Sequence, residues 1–386
     1  MNYRFLRGNQ ILLLESGTDY FPALIAAIDA ARQEIFLETY IFEDDGTGHL
    51  VSGALARAAG RGVRVRVLVD GFGAREFPAR IMPRLTDAGV EVLIYRREIG
   101  NLRLRRHRLR RLHRKLSVID GRVAFVGGIN IIDDMHTPHQ TPPRFDYAVR
   151  IEGPLLADLH AAARRLWGLV AWANFRHRFR TLETVSPVAE RRGTVAAAFL
   201  TRDNLRHRRD IEQAYLNAIA GARDEILLAN AYFLPGIHFR HALVRAAQRG
   251  VKVTILLQGR VEYVLLHYAS QALYGSLLAN GVRLFEYHRS FLHAKVAVVD
   301  RKWATVGSSN IDPFSLLLAR EGNIVVQNRD FAGRLRQSLF SAMEGGATEL
   351  TVEDWQGKPW YKRLMRWLAY TLTRAMIGLA GYGGEH

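Results

Sequence analysis

The chain has 386 residues, 48% of them hydrophobic, and its 54 Lys and Arg outnumber 37 Asp and Glu to give a formal net charge of +17. A chain of this length can bury a substantial core as one large or two ordinary domains. The positive charge favours a polyanionic partner, either nucleic acid or an anionic membrane surface. Because the sequence contains no Cys, disulfides, thiolate catalysis and cysteine-rich zinc sites are excluded.

The N-terminal segment, residues 1–17, has no long apolar core after its basic residues and no small-residue cleavage pattern, which argues against a secretory signal. No segment contains the 18 or more consecutive apolar residues of a membrane span. The nearest approach, residues 367–384, is interrupted by Arg374. We therefore expect no signal peptide, no transmembrane helix and a cytoplasmic location.

Four segments of the first half of the chain recur in the same order in the second half. The first-half segments are ARQEIFLETYIF (31–42), RGVRVRVLVDG (61–71), AGVEVLIY (88–95) and LHRKLSVIDGRVAFVGGIN (112–130). Their counterparts are ARDEILLANAYF (222–233), RGVKVTILLQG (249–259), NGVRLFEY (280–287) and LHAKVAVVDRKWATVGSSN (292–310). Such repetition indicates two copies of one structural unit.

Each unit is predicted to run strand, helix, strand, helix, strand and hairpin. Apolar, β-branched runs at 35–42 and 63–69 are strand-like, whereas residues 50–62 carry apolar residues at helical spacing and end near a glycine. Strands that alternate with helices imply right-handed crossovers and a mainly parallel sheet covered by helices. The predicted fold class is therefore α/β, with two repeated α/β/α sandwich units built on mainly parallel sheets.

A polar, basic stretch that contains proline and glycine, residues 176–194, is predicted to link the two units. We therefore place the first repeat at 1–193 and the second at 194–350. The remaining residues, 351–386, are predicted to form a basic, Trp-containing amphipathic segment.

The most similar pair of segments, 113–130 and 293–310, shares His, any residue, Lys, four residues, Asp, six residues, Gly, a small residue, any residue and Asn. These residues are His113, Lys115, Asp120 and Asn130 in the first copy, and His293, Lys295, Asp300 and Asn310 in the second. Side chains two apart on a strand point to the same face, so each His and its Lys project together. The Asp lies in a turn facing the other way, and we assign it a mainly structural role within the motif.

An imidazole can act as a nucleophile or as a general acid and base at neutral pH, and a lysine ammonium can neutralise a phosphoryl oxygen in the transition state. Two facing copies would place a nucleophilic His on one side of phosphorus and an acid-base His on the other. A single His on a strand is more often structural, but its duplication within colinear repeats favours catalysis. The motifs therefore predict one metal-free site for phosphoryl transfer.

The paired motifs, HRKLSVID with GGIN and HAKVAVVD with GSSNID, resemble the HKD signatures of the phospholipase D superfamily. The runs NAYFLPG, WATVGSSNIDPFSL, NQILLLESGTDYFPALIAAI and FDYAVRIEGP resemble the bacterial cardiolipin synthases, in particular the type B branch without N-terminal membrane spans. The similarity extends from about residue 7 to about residue 345. It implies a bilobed fold with one active site at the interface of the two repeats.

The resemblance implies that one motif His forms a covalent phosphohistidine and the other protonates the leaving alcohol. In many relatives the first-motif His is the nucleophile, which favours His113. The implied phosphate-binding set is Lys115, Lys295, Asn130 and Asn310. Family members also carry an acidic residue after each motif that orients the catalytic His, and Asp146 and Glu321 occupy these places. For Asp146, an ordinary strand-edge carboxylate is the alternative interpretation.

The implied activity is that of a phosphatidyltransferase, a cardiolipin synthase that moves a phosphatidyl group from one phosphatidylglycerol to another and releases glycerol, with neither cofactor nor metal. Its partners would be anionic phospholipid and the cytoplasmic side of the cell membrane, bound peripherally. The alternatives are a phospholipase D or a nucleic-acid phosphodiesterase that uses water, and a membrane-binding scaffold with a vestigial site. Tryptophan-rich segments and the whole-length similarity argue against nucleic acid, and two intact motifs argue against a vestigial site.

Three further segments carry weaker signals. The arginine-rich stretch 96–115 is expected to meet lipid phosphates beside the active site, although a solvated face or nucleic-acid binding are alternatives. Residues 166–179 and the tail from 355 onward combine Trp with basic residues, which suits either the membrane interface or packing on the core. The loop 133–143 contains carboxylates and two His, but its prolines predict a rim of the active site rather than a metal site.

Overall fold

The computed structural model describes residues 3–96, 110–137, 141–175, 185–203, 206–261, 263–357 and 359–377. Five of the predicted features lie partly outside these ranges. They are the arginine-rich stretch, the loop 133–143, the Trp-containing segment 166–179, the linker and the tail. The residues of these features that are not described are 97–109, 138–140, 176–184, 358 and 378–386.

The first half of the chain forms seven strands and five helices within the described residues. The strands are β1 (Leu6–Glu15), β2 (Glu34–Thr39), β3 (Arg64–Asp70), β4 (Glu91–Tyr95), β5 (Lys115–Ile119), β6 (Val123–Gly127) and β7 (Tyr147–Glu152). The helices are α1 (Ser16–Asp29), α2 (Gly46–Gly60), α3 (Phe77–Arg80), α4 (Met82–Asp87) and α5 (Leu156–Ala173).

The second half repeats this series and adds C-terminal elements. Its strands are β8 (Val195–Arg202), β9 (Glu225–Asn230), β10 (Lys252–Gln258), β11 (Arg283–Tyr287), β12 (Lys295–Val299), β13 (Trp303–Gly307), β14 (Glu321–Gln327) and β15 (Ala347–Leu350). Its helices are α6 (Asp210–Ala220), α7 (Ile237–Gln248), α8 (Val264–Gln271), α9 (Tyr274–Ala279), α10 (Pro313–Leu317), α11 (Arg329–Gly346), α12 (Val352–Gln356) and α13 (Trp360–Ile377). The predicted domain boundaries at 193 and 350 remain predictions.

One continuous sheet crosses both repeats. In the described part of the chain it has 15 strands, in the order β15-β11-β10-β9-β12-β13-β14-β8-β1-β7-β6-β5-β2-β3-β4. Antiparallel pairing of β1 with β8 joins the two halves, with Leu6 opposite Ala197. The order on one side of this junction mirrors the order on the other, so the repeated α/β units are confirmed and share a sheet.

The directions of the strands correct one part of the predicted fold, the expectation of mainly parallel sheets. Among the described strands, parallel pairing is confined to β2 with β3, β3 with β4, β9 with β10, and β10 with β11. The remaining pairs are antiparallel. Parallel neighbours need a helical crossover, whereas the motif strands are joined to the next strand by tight turns, which force antiparallel pairing.

Helices cover both faces of the sheet and divide the core into three parts. One cluster joins the repeats, with Trp167 of α5 and Leu335 of α11 packed with Val118 and Val298 of the two motif strands. A second lies under α1, α2 and α4 in the first half, and a third lies under α6, α7 and α9 in the second half. Because interiors pack densely, the shared cluster holds the two motif strands in a fixed relation.

Helix α13 turns its large apolar side chains toward solvent. The exposed residues are Trp360, Tyr361, Leu364, Met365, Trp367, Leu368, Leu372 and Met376. The buried side of the helix instead carries Arg366, Ala369 and Thr373, and Arg366 donates to Gln271 Oε1 of α8 at 3.0 Å. Among the described residues, neither this helix nor any other is long and apolar enough to cross a membrane.

Candidate active site

The two motif histidines lie where the repeats meet, each tied by its backbone to the other half. His113 N donates to Arg320 O at 2.9 Å, and His293 N donates to Phe145 O at 2.8 Å. These reciprocal hydrogen bonds bring both motifs to a single site. In each motif, the carbonyl oxygen that accepts from the backbone N–H of the histidine belongs to the other repeat.

Each imidazole is held by the carboxylate of the other repeat. His113 Nδ1 lies 3.0 Å from Glu321 Oε1, and His293 Nδ1 lies 2.6 Å from Asp146 Oδ2. A carboxylate at Nδ1 sets the tautomer and stabilises the charged ring, leaving Nε2 as the nitrogen available for reaction. The structure thus places Asp146 and Glu321 at the histidines, in a crosswise pairing that the sequence did not predict.

The two carboxylates differ in their second partner. Ser308 Oγ donates to Glu321 Oε2 at 2.5 Å, so this carboxylate is shared between a hydroxyl and His113. The matching position in the first motif is Gly128, where a Cβ would collide with the carboxylate of Asp146. Gly128 therefore has a steric reason, because the carboxylate of Asp146 packs against it, whereas Ser308 binds the carboxylate of Glu321 through its hydroxyl.

Both motif lysines are buried beside the histidines. Lys115 Nζ donates to His113 O at 2.8 Å, and Lys295 Nζ donates to His293 O. Lys295 also lies 3.9 Å from Asp146 Oδ2. Burial lowers the pKa of Lys115 to about 7, and the charge of Lys295 contributes to that lowering. A phosphodiester anion between the two ammonium groups would offset their mutual repulsion.

Burial also lowers the pKa of both histidines. Burial together with the neighbouring charge of Lys295 brings the pKa of His293 to about 3, although Asp146 opposes the shift. The pKa of His113 is lowered by burial and by Lys115, with Glu321 opposing. Both rings are therefore neutral at pH 7 before substrate binds, which suits a nucleophile. The general acid needs a proton, and negative charge supplied by the substrate would raise its pKa.

The motif asparagines are buried and already hold backbone or side-chain partners. Asn130 Oδ1 accepts from Ile41 N at 3.2 Å, which leaves its amide NH2 as a donor. Asn310 Nδ2 lies 3.5 Å from Ser315 Oγ, and its buried Oδ1 has no hydrogen-bond partner among the described residues. Their role in binding phosphate remains a prediction.

The motif aspartates lie at the other end of the motif strands, five residues and about 17 Å beyond each lysine. Asp120 and Asp300 have left-handed backbones, with φ of 52° and 50°. The carboxylate of Asp120 accepts from the backbone N–H groups of Arg32, Gln33 and Glu34. The carboxylate of Asp300 accepts in the same way from residues 223–225. This geometry supports a structural role, in which each aspartate fastens the motif hairpin to the start of β2 or β9.

Two polar residues that sequence reasoning missed bind the backbone just before each motif histidine. Asp70 Oδ2 accepts from Leu112 N at 2.8 Å, and Gln258 Nε2 donates to Leu292 O at 3.4 Å. Both contacts involve the residue that precedes the motif histidine. The signal was present in the repeats, because VLVDG and ILLQG each end a buried strand with a polar side chain.

Aromatic rings that sequence reasoning also missed flank the two imidazoles differently. The ring of Tyr40 meets His113 edge to face at 4.9 Å, and Lys115 Nζ lies 5.4 Å from the centre of the same ring. Phe291 instead stacks on His293, with centroids 6.0 Å apart and an angle of 21°. The two halves of the site are therefore not equivalent, although their motifs are.

The described part of the loop 133–143 makes structural contacts. Asp133 Oδ1 accepts from Met135 N at 2.9 Å, and the carboxylate of Asp134 accepts from Gly17 N at the start of α1. Among the described residues no group of three or more His, Asp or Glu is arranged to hold a metal ion. Residues 138–140, which include one of the two histidines of the loop, lie outside the described residues.

Comparison with known proteins agrees with this geometry. The family model described as cardiolipin synthase, PLD-like domain, matches residues 24–162 and 215–343, once in each repeat. Cardiolipin synthase B of Escherichia coli K12 is 37% identical, in a match that covers 100% of this chain and 93% of the relative. Cardiolipin synthase B of Salmonella typhi is 38% identical, with 98% and 91% covered.

Solved structures share the fold. Phosphatidylserine synthase of Haemophilus influenzae Rd KW20 superimposes with a TM-score of 0.72 at 15% identity, over 99% of this chain and 97% of that chain. Polyphosphate kinase of Porphyromonas gingivalis gives a TM-score of 0.57 at 15% identity, over 96% of this chain and 53% of that one. The family match in both repeats and the full-length relatives are decisive: this chain belongs to the cardiolipin synthase family of phospholipase D-like proteins.

Proposed function

We propose that the protein is a phosphatidyltransferase that makes cardiolipin from two molecules of phosphatidylglycerol and releases glycerol. The observation that carries the proposal is the crosswise site, in which two imidazoles are each backed by a buried carboxylate of the other repeat. Two buried lysines beside them supply the positive charge that a phosphodiester requires. Full-length relatives named cardiolipin synthase B support the choice of lipid.

In the first step, His113 Nε2 attacks the phosphorus of the donor phosphatidylglycerol. His293 takes up a proton at Nε2 when the anionic donor binds, because the negative charge of the phosphodiester raises its pKa. The N–P bond then forms as the P–O bond to glycerol breaks, and His293 gives this proton to the departing oxygen. Glu321, at Nδ1 of His113, stabilises the charge on the phosphohistidine. Glycerol leaves with that proton, and the phosphatidyl group remains on the enzyme.

In the second step, His293 is neutral and acts as the base. It removes the proton from a headgroup hydroxyl of a second phosphatidylglycerol, whose oxygen attacks the phosphorus as the N–P bond breaks. Cardiolipin is released, His113 is regenerated, and His293 again holds a proton for the next cycle. Asp146 stabilises the charged His293 in both steps.

Purified protein incubated with phosphatidylglycerol in mixed micelles tests the proposal. We expect cardiolipin and glycerol in equal amounts, and their ratio is measured by thin-layer chromatography and an enzymatic glycerol assay. In a His293→Ala protein supplied with phosphatidyl-p-nitrophenol, acid-labile lipid label should accumulate on His113, because the phenolate leaves without an acid whereas the acceptor hydroxyl still lacks its base. Phosphatidic acid as the sole product, or cleavage of DNA with no lipid product, would overturn the assignment.

We propose that the protein binds the membrane peripherally, on its cytoplasmic side, and the exposed apolar face of α13 supports the membrane contact. Trp360 is 71% exposed and Trp367 is 58% exposed, and Lys362 and Arg363 lie on the same helix. Aromatic rings and cationic side chains both bind favourably at the interface of an anionic bilayer. Because the buried side of the helix is formed by Arg366, Ala369 and Thr373, the apolar side chains are not needed to attach the helix to the core.

A double substitution, Trp360→Ser with Trp367→Ser, separates membrane binding from folding. We expect weaker flotation with phosphatidylglycerol vesicles but unchanged turnover of a short-chain phosphatidylglycerol dissolved below its micelle concentration. Leu50→Ser is the matched control, because Leu50 is 63% exposed on α2. Vesicle binding that survives the double substitution would show that the membrane contact lies elsewhere.

A further inference from the structure

We propose that Arg144, stacked on Phe291, forms a second anion subsite that binds the phosphodiester of the acceptor phospholipid while its headgroup hydroxyl is held at His293. The inference rests on the proposed function, because it requires an acceptor that carries a phosphate of its own. It assigns to the His293 side of the site a preference for an anionic phospholipid over water or a neutral alcohol.

The backbone fixes Arg144 beside the reacting histidine. Phe145 N donates to Phe291 O at 2.9 Å, and His293 N donates to Phe145 O at 2.8 Å. The segment 144–146 therefore runs alongside 291–293, with Arg144 next to Phe291 and Asp146 next to His293. The same pairing of two short segments positions the carboxylate that orients His293 and the guanidinium that lies beyond it.

The guanidinium of Arg144 is stacked rather than paired with an acid. Its Cζ lies 5.0 Å from the centre of the Phe291 ring, and that ring in turn stacks on His293. The Nε of Arg144 is buried and has no hydrogen-bond partner among the described residues. The ion pairs found among these residues, such as those of Asp146 with His293 and Lys295, do not include Arg144. A planar donor group that is stacked on a ring and lacks an acceptor is suited to a phosphate.

Two carboxyl groups influence Arg144 from a greater distance. Glu43 and Asp134 both have a raised pKa, caused mainly by burial, and Arg144 opposes the shift in each. The pKa of Asp134 rises to about 7, and its carboxyl is already bonded to Gly17 N. These groups therefore neutralise Arg144 only partly, and the guanidinium retains attraction for an anion.

On the His113 side, the positions that correspond to Phe291 and Arg144 carry different groups. There the position two residues before the histidine is Arg111, whose Nη1 lies 3.9 Å from the carboxylate of Asp70. Its guanidinium stacks on Phe72, with Cζ 4.7 Å from the ring centre. The position that corresponds to Arg144 in the other half is Ala319, two residues before Glu321. Of the two positions that lie two residues before an orienting carboxylate, only the one beside His293 therefore carries a guanidinium.

The product headgroup is long enough to reach from His293 to Arg144. The two phosphorus atoms of cardiolipin are joined by six bonds through glycerol, which extend to about 7 Å at the rise of an extended chain. A contact of about 3 Å at each end, from His293 Nε2 to one phosphate and from the Arg144 guanidinium to the other, extends the distance that the headgroup can span. Arg144 Cζ cannot lie farther from the centre of the His293 ring than the 5.0 Å and 6.0 Å stacking distances combined. A bound acceptor can therefore span both groups.

The subsite would also remove an electrostatic obstacle. The acceptor brings a negative phosphate toward a phosphatidyl group that is itself bound between charged residues. A charge-assisted hydrogen bond to a guanidinium offsets this repulsion and orients the hydroxyl for attack. Neutral acceptors such as water and glycerol gain nothing from Arg144, so the residue favours transfer over hydrolysis.

The test compares two acceptors on one enzyme. An Arg144→Gln protein is assayed for cardiolipin formation from phosphatidylglycerol, and for exchange of radiolabelled free glycerol into phosphatidylglycerol. We expect the rate of cardiolipin formation to fall about 10- to 100-fold, which is the effect of losing a hydrogen bond to a charged group. The rate of glycerol exchange should change by less than about threefold from the wild-type rate, because glycerol makes no such hydrogen bond. Where exchange is slow, hydrolysis to phosphatidic acid serves as the neutral-acceptor reaction.

Arg75→Gln is the matched control, because Arg75 stacks on Phe72 with its Cζ 4.1 Å from the ring centre, on the His113 side. It should reduce neither reaction selectively. Arg144→Lys keeps the charge but loses the planar donors, so its rate of cardiolipin formation should lie between those of the wild type and Arg144→Gln. This variant tests the subsite if the glutamine variant does not fold. Equal losses in both reactions, no loss in either, or a selective loss in Arg75→Gln instead would overturn the subsite. Wild-type protein that forms no cardiolipin would overturn the proposed function itself, which is a separate outcome.

Discussion

Substituting Asp146 by Asn tests the division of labour between the two histidines. Asp146 Oδ2 lies 2.6 Å from His293 Nδ1 and stabilises the ring more strongly when it is charged. Two unit charges about 4 Å apart attract by about 4 kcal/mol at an effective dielectric constant near 20. Since about 1.4 kcal/mol corresponds to a tenfold change in rate, we expect Asp146→Asn to lower kcat for cardiolipin synthesis by about a thousandfold.

The assay uses two donors that differ in the leaving group. Phosphatidylglycerol must lose an alkoxide that requires a proton from His293, whereas phosphatidyl-p-nitrophenol loses a phenolate that does not. Asp146→Asn should therefore recover most of its rate in a burst of p-nitrophenol. Glu321→Gln is the matched variant, because it removes the carboxylate from His113 Nδ1. It should lose rate with both donors, since attack by His113 is needed in each case.

The opposite pattern would refute the reasoning. If Glu321→Gln were rescued by the better leaving group and Asp146→Asn were not, His293 would be the nucleophile and His113 the acid. Circular dichroism and the thermal midpoint of each variant establish that a loss of rate does not reflect a loss of fold.

Three further predictions concern the lysines and the motif turns. Lys295→Met should lower kcat about 100- to 1000-fold at saturating phosphatidylglycerol, because a phosphoryl oxygen loses its buried cation; near-normal turnover would contradict this role. Because burial lowers the pKa of Lys115 to about 7, the free enzyme loses the charge of this lysine as pH rises through 7. The value of kcat/KM for the anionic donor should therefore fall above pH 7, and a flat profile up to pH 9 would contradict a role of the charged Lys115 in binding the donor. Asp300→Ala should lower the free energy of unfolding in urea by about 2–3 kcal/mol, because backbone N–H groups at 223–225 lose their acceptor; unchanged stability would show that water replaces the carboxylate.

Much of the architecture follows from local patterns. The α/β class and the two repeats were predictable because strands and helices have distinct periods and because the same segments recur in order. The turn role of Asp120 was predictable for a similar reason, since an Asp-Gly pair after a strand indicates a hairpin. The direction of the strands was not, because alternation of helices and strands describes only the part of each repeat before the motif.

The chemistry of the site was predictable in kind but not in arrangement. Two copies of His-x-Lys indicate two imidazoles and two cations, and the resemblance indicated Asp146 and Glu321 as their carboxylates. The crosswise pairing depends on two isolated bridges between the repeats, Leu112 with Arg320 and Phe145 with Leu292, just before β14 and β7. Such a contact joins residues far apart in the chain, and no local period records it.

The tail shows the same division. Its amphipathic pattern with tryptophan was compatible with either a core-packed helix or a membrane-facing one. The structure shows that the apolar face is exposed, because Arg366, rather than Trp367, lies against α8, donates to Gln271 and stacks on Trp355. Membrane binding by this face remains a prediction. Gln271, the buried partner of the Arg366 guanidinium, lies in a distant part of the chain. The pattern of the helix alone could therefore not reveal which face would turn inward.

The sequence by itself therefore determined the inventory: two repeats, two histidines, two lysines and a strongly basic chain. Only the tertiary structure decided that the two halves of the site are unequal. Phe291 and Arg144 lie beside one histidine and Tyr40 beside the other, because each motif is completed by a different segment of the opposite repeat. The proposed reaction, which takes one lipid as donor and another as acceptor, would use such an inequality, and it arises from pairing across the junction rather than from the motifs themselves.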